Sequence, residues 1–141
     1  MLAGPLGIVS AYRELLQKLS DCVLIIHSQA SEFAGVLLKE FSSKIKAAVI
    51  IEGSSAPMNE NMCTTIPTLY IWGDHIAKGS NWEIYRGNML AYYKKQKALN
   101  APVEWLNLPD IGINGNSHFM MLDKNSTEIF NIIYTWLKKH K

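Results

Sequence analysis

Only two cysteines, Cys22 and Cys63, occur in 141 residues, too few for the disulfide framework on which small secreted scaffolds rely. Spacing alone carries no bridge geometry, and we read two free, partly buried thiols. Charge of one sign is equally scarce. The formal net charge is +2, and the lysines are dispersed apart from the pairs Lys94-Lys95 and Lys138-Lys139. No basic stripe interleaved with aromatics forms, so nucleic acid is not an expected partner. No apolar run approaches the ~20 residues of a helical span, so no membrane span is expected. The stretch Met1–Ser10 lacks both a basic start and a long apolar centre, and we do not read it as a signal peptide. His75 beside Asp74 has no companion at His-x-x-x-His spacing, so no metal is expected. Asn125-Ser126-Thr127 is a formal glycosylation triplet of a kind that arises often by chance. There is no internal repeat and no low-complexity segment.

What is present is apolar and periodic. Hydrophobic residues make up 48% and charged residues 18%, which excludes a disordered tail and suits a single folded unit over 1–141. Ile8–Leu19 places Leu15, Leu16 and Leu19 at helical spacing. Val23–Ile26 is a short continuous apolar run, the pattern of a strand covered on both faces. Gln29–Phe41 reads as a helix with Phe33, Val36, Leu37 and Leu38 near one face. Ala47–Ile51 is a second buried strand and Pro57–Thr65 a polar connection. Thr68–Trp72 is a third strand, closed by Gly73-Asp74. Trp82–Leu99 is helical by composition, Val103–Leu108 alternates as a fourth strand, and Pro109–His118 is a glycine- and asparagine-rich loop. Thr127–Lys139 closes the chain as an amphipathic helix with Ile129, Ile132, Ile133 and Trp136 along one stripe. Alternating strands and helices predict an α/β fold with a parallel sheet of about four strands flanked by helices. Trp72, Trp82, Trp105 and Trp136 are expected core anchors.

Ser28 falls between a buried strand and a helix. A serine on such a sharp turn exposes its hydroxyl above the strand ends, where N–H groups of the helix start point at the same spot. Those groups stabilise the oxyanion of an acyl-transfer intermediate, and the Gln29 N–H is the expected donor. The turn is crowded and favours small residues two positions either side of the serine. In Ile26-His27-Ser28-Gln29-Ala30, Ala30 meets that need, whereas the branched Ile26 is expected to press on the turn. A base is needed, and His118, in a loop between the last strand and the last helix, is the best placed. An acid must then orient the imidazole. Glu52 and Asp74 each stand immediately after a strand, and spacing does not choose between them. His27, Phe119 and Met120 are candidates to line a substrate site.

Four stretches carry a resemblance. They are Val23-Leu24-Ile25-Ile26-His27-Ser28-Gln29, Val49-Ile50-Ile51-Glu52-Gly53, Ile66-Pro67-Thr68-Leu69-Tyr70-Ile71-Trp72-Gly73-Asp74-His75, and the run from Gly112 to Asn125 containing Gly115-Asn116-Ser117-His118-Phe119-Met120-Met121. In these the chain resembles the C-terminal half of α/β-hydrolases, most closely the small esterase group typified by bacterial esterase 713. The resemblance implies a partial α/β-hydrolase fold lacking the N-terminal strands. It also implies a Ser28-His118-Glu52 triad acting on a small-molecule ester without a cofactor. In that group the acid is a glutamate one strand after the nucleophile, which favours Glu52 over Asp74, the alternative acid. Asp74 is then expected to organise its loop. The family's second oxyanion donor comes from a loop with no counterpart in this chain. Loss of one such donor costs about 100- to 1,000-fold in rate. The nucleophile strand, central in the family, is expected to become an edge open to self-association or to the missing N-terminal half. A second reading follows from the same features: a non-catalytic fragment serving as a binding or assembly module, or one half of a split hydrolase.

Overall fold

The computed structural model describes residues 5–57, 60–75 and 80–140. The first four residues of the Met1–Ser10 stretch and residues 58–59 of the Pro57–Thr65 connection lie outside that description. Four parallel strands, β1 (Cys22–His27), β2 (Ile45–Ile51), β3 (Thr68–Trp72) and β4 (Val103–Asn107), form one sheet in chain order. Helix α1 (Pro5–Lys18) precedes β1. Helix α2 (Ser31–Glu40) connects β1 to β2, α3 (Asn81–Ala98) connects β3 to β4, and α4 (Ser126–His140) follows β4.

Spatial order that equals chain order sends successive right-handed crossovers over the same face. Leu16 of α1, Leu37 and Leu38 of α2 and Met89 and Tyr92 of α3 accordingly share one core with Ile26, Ala48, Ile50, Tyr70, Trp72 and Val103. The other face falls to α4, whose Ile129, Ile133 and Trp136 cover Ala47, Val49, Ile51, Leu69 and Ile71. Successive strand residues thus serve opposite faces, the period-2 rule of a pleated strand. With helices on both faces β3 is buried throughout and β2 everywhere but Lys46, so both read as apolar runs without alternation. The carbonyls of Leu16 and Gln17 at the end of α1, and of Leu19 just beyond it, all accept from Lys44 Nζ at 2.9–3.0 Å, a cationic cap at the negative end of the helix. Cys22 is half-buried and Cys63 buried, and no disulfide joins them. Among the described residues no helix is long and apolar enough to cross a membrane. No group of three or more His, Cys, Asp or Glu in that set is placed to hold a metal ion.

Beneath α3 lies a buried polar group, with the Tyr70 hydroxyl donating to Gln96 Oε1 and Gln96 Nε2 donating to the Thr64 carbonyl at 3.2 Å. Burial raises the Tyr70 phenol well above its ordinary value and pushes the Tyr92 phenol up to about 12. In the unfolded chain both ionise near pH 10. Above that pH the unfolded state loses protons that the folded state keeps, so stability falls from about pH 10 upward. Urea midpoints recorded at pH 8, 10 and 11 should decline over that window, and less steeply in Tyr92→Phe. A midpoint that stays level to pH 11 contradicts the assignment.

Candidate active site

β1 ends at His27 in extended geometry, and Ser28 turns at once to φ 55°. Residues Ser28–Ala30 wind as one 3-10 turn that runs directly into α2. A positive φ at a residue other than glycine costs on the order of 1–3 kcal/mol and persists where its surroundings enforce it. Two contacts from the segment after β2 do so here. The Ser54 N–H donates to the Ser28 carbonyl at 3.2 Å, and the Ser55 N–H to the buried Ser31 hydroxyl at 3.0 Å. Ile26, two residues before Ser28, is buried beneath this turn. Its side chain is buried in the α1–α2 core with Leu16, Ala34 and Leu37, and the half-buried Ala30 packs against the same cluster.

Glu52 follows β2 directly and also has positive φ, 42°. Its N–H extends the β2–β3 ladder to the Ile71 carbonyl at 3.0 Å, which turns the carboxylate into the space above the strand tips. Glu52 is only 2% exposed, and a buried carboxylate needs partners. Oε1 accepts the Gly73 N–H at 2.9 Å, and Oε2 meets His118 Nδ1 at 2.6 Å. A Cβ at Gly73 would stand 3.1 Å from Glu52 Oε1 and 3.3 Å from the Asn116 Cβ. The lack of a side chain there is what lets the carboxylate and the histidine loop approach the same strand end.

His118 joins the two. Its Nε2 lies 2.9 Å from the Ser28 hydroxyl oxygen. The carboxylate can only accept, so Nδ1 carries the proton and Nε2 is left to accept from the hydroxyl. Residues 28, 52 and 118 therefore form one hydrogen-bonded chain. The imidazole is walled by rings: Trp82 at 4.0 Å between centroids, His27 at 4.5 Å and Phe119 at 5.1 Å. His27 Nε2 also donates to the His118 carbonyl at 2.9 Å, holding the backbone that carries the imidazole.

Asp74, the other carboxylate at a strand end, is turned to the loop backbone. It accepts the Gly115 N–H at 2.8 and 3.0 Å and the Asn116 N–H at 3.0 Å. The Gly115 N–H above all, then the Asp74 and Asn116 N–H groups and nearby His75, hold its carboxyl below the usual range. Phe119 is 53% exposed beside the imidazole. Met120 is not: it is fully buried among Ile129, Ile133 and Leu108 on the α4 side. The short 3-10 turn Met120–Leu122 sends Met120 inward and leaves Leu122 80% exposed, which corrects the expectation that Met120 faces substrate. Gln29 directly follows Ser28, with an exposed side chain. Two participants had no signal in the sequence. Trp82, expected as a core anchor, is half-buried over His118 because α3 begins at the level of the strand tips. Asp123 accepts from Ser117 N–H and Oγ, both at 2.8 Å, across a turn no spacing rule announces.

No family model matches the sequence. A bacterial esterase solved at atomic resolution superposes on 98% of the chain with a TM-score of 0.88 and 28% identity. The chain carries part of the α/β-hydrolase fold. Its four strands and flanking helices span 44% of that esterase. A thermostable esterase shares the fold at a TM-score of 0.54 and 14% identity, over 90% of this chain and 36% of its own length. A fungal protein (Fungal sp., strain ATCC 74256) named "Probable secreted lipase phiG" is 41% identical over 49 residues, which are 35% of this chain and 13% of that protein. The chain spans under half the length of each of these proteins.

Proposed function

We propose that the chain carries the bond-breaking site of a serine carboxylic-ester hydrolase, with Ser28 as nucleophile, His118 as base and Glu52 as the acid that orients it. The supporting observation is the unbroken chain from Glu52 Oε2 through His118 to Ser28 Oγ, at 2.6 and 2.9 Å. In this reading Ser28 Oγ attacks the acyl carbon while its proton passes to His118 Nε2. Glu52 stabilises the imidazolium, and the Gln29 N–H faces the tetrahedral oxyanion. Collapse expels the alcohol, which takes the proton from Nε2. Water, deprotonated by the same nitrogen, then attacks the acyl-Ser28 ester, and the acid is released as Ser28 Oγ takes that proton back from Nε2. The chemistry calls for no cofactor. His27 and Phe119 line the approach to the reacting atoms. Phosphonylation of the intact chain by a serine-directed phosphonate, mapped to Ser28 by mass spectrometry, is the expected result, with slow turnover of a small chromogenic ester. Folded protein that shows neither would end this reading in favour of a non-catalytic assembly module.

The partner proposal concerns the outer strand. β1 ends the sheet with Ile25 58% exposed. An apolar pocket of about 370 Å³ lies on one side, bounded by Ile25, Ile129 and Phe130, and one of about 140 Å³ on the other, bounded by Leu15, Leu19 and Leu24. Unpaired N–H and C=O groups between two apolar grooves form a docking edge. We infer that a further strand covers it, supplied by the remainder of an esterase-sized fold or, for the chain alone, by a second copy. Sedimentation should show self-association rising with concentration, and Ile25→Lys should shift it at least tenfold toward monomer. A wild-type monomer at every concentration would eliminate the second copy as occupant.

A further inference from the structure

The loop that presents His118 is tied down by carboxylates more than by packing. Gly112 and Gly115 take φ of 81° and 80° with open space where a Cβ would lie, and Asn114 is exposed. Yet three consecutive backbone N–H groups end on carboxylate oxygens: Gly115 and Asn116 on Asp74, Ser117 on Asp123. Asp123 also takes the Ser117 hydroxyl at 2.8 Å and Asn116 Nδ2 at 3.1 Å. Asn116 is 1% exposed and exchanges amide hydrogen bonds with Asn125 at 2.8 and 3.2 Å. One anchor stands at the end of β3, the other just before α4, so they grip the loop from the sheet and from the helix layer.

We propose that Asp74 and Asp123 are positioning residues for His118: together they fix the backbone of Gly115–Ser117 and so hold Nε2 at the Ser28 hydroxyl. The proposal rests on the reading of Ser28, His118 and Glu52 as an acyl-transfer site. Hydrogen bonds to an ionised acceptor are shorter and roughly twice as strong as neutral ones. The loop favours the charged carboxyls, since the Gly115 N–H foremost holds Asp74, and the Ser117 hydroxyl foremost holds Asp123, below the usual range. Displacing a reacting group by about 1 Å costs on the order of 100-fold in rate. Release of either anchor would displace an imidazole that has a 2.9 Å contact to keep.

The experiment compares the whole chain with Asp74→Ala, Asp123→Ala, the milder Asp74→Asn and Ser117→Ala, and Asp21→Ala. Asp21 pairs with Lys46 at 3.1 Å beside the start of β1, so its loss removes a carboxylate away from the site. Two readouts are taken. One is the limiting rate of Ser28 phosphonylation, separated from reagent affinity. The other is the low-field proton resonance of His118 Nδ1, shared with Glu52. Expected are a 10- to 100-fold fall in limiting rate at unchanged affinity, and loss or broadening of the resonance, in both alanine variants. Asp74→Asn and Ser117→Ala should show a smaller fall, and Asp21→Ala none. Folded variants that keep the wild-type limiting rate and a sharp resonance overturn the proposal. Should the alanine variants fail to fold, Asp74→Asn and Ser117→Ala decide by the same two readouts. If wild type shows neither phosphonylation nor ester turnover, the esterase reading falls and the resonance alone decides. Its loss in the variants upholds the clamp, and its persistence overturns it.

Discussion

Glu52→Gln should slow Ser28-dependent ester cleavage by about 10,000-fold, the scale seen when a triad acid is replaced by its amide, with little loss of stability. The reason lies in the two partners of the carboxylate. The Gly73 N–H is fixed by the backbone at the end of β3 and donates to Oε1 at 2.9 Å. A glutamine must leave its oxygen at that position, because an amide nitrogen there would face a donor. Its NH2 then takes the place of Oε2 and donates to His118 Nδ1. The imidazole is forced into the tautomer protonated on Nε2, which cannot accept the Ser28 proton. The fold survives because the swap is isosteric and removes a charge from a site 2% exposed, relieving a desolvation cost. Ester turnover and phosphonylation rate measure the loss, with the thermal midpoint as control. A loss under tenfold would show that Glu52 does not govern the histidine.

The elements were legible wherever composition and boundary signals agreed. The bounds of β3, Thr68–Trp72, match the sequence reading because Pro67 and Gly73 bracket the run. The expected start of a helix at Gln29 is two residues early. Ser28–Ala30 wind as a 3-10 turn, and the α-helix begins at Ser31, a detail set by the positive φ at Ser28 and invisible to periodicity. Ser28 and His118 could be picked out by place, one at the end of β1 and the other in the loop between β4 and α4. Position could not separate Glu52 from Asp74, because both follow strands, and the resemblance alone favoured Glu52. What separates them physically is the direction of each carboxylate, one buried toward the imidazole and the other exposed toward the loop N–H groups. The inward turn of Met120, the Asp123 anchor and the Trp82 ring over His118 are tertiary facts. Each depends on where a short turn or helix start lands relative to the strand tips.

Trp72→Ala should destabilise the fold by about 3–5 kcal/mol, the range for emptying a buried tryptophan site, or roughly 10–20 °C in thermal midpoint. Trp72→Phe should cost clearly less than Trp72→Ala. Trp72 is completely buried at the end of β3. Its ring stacks on Trp105 at 5.8 Å, and Trp105 stacks in turn on Tyr70 at 5.9 Å, an aromatic ladder beneath α3. Alanine removes the top rung and leaves a void that the two-sided sheet cannot close. Phenylalanine keeps most of the stack. It also deletes an indole N–H that is buried without an acceptor among the described residues, a group costing about 1–3 kcal/mol unpaired. That relief offsets part of the lost volume. Trp72 also immediately precedes Gly73, whose N–H holds Glu52. The alanine variant should therefore slow Ser28 phosphonylation at temperatures where it is still folded, and the phenylalanine variant should not. Equal destabilisation by the two substitutions would mean that neither the ladder nor the unpaired N–H has the energetic weight assigned to it.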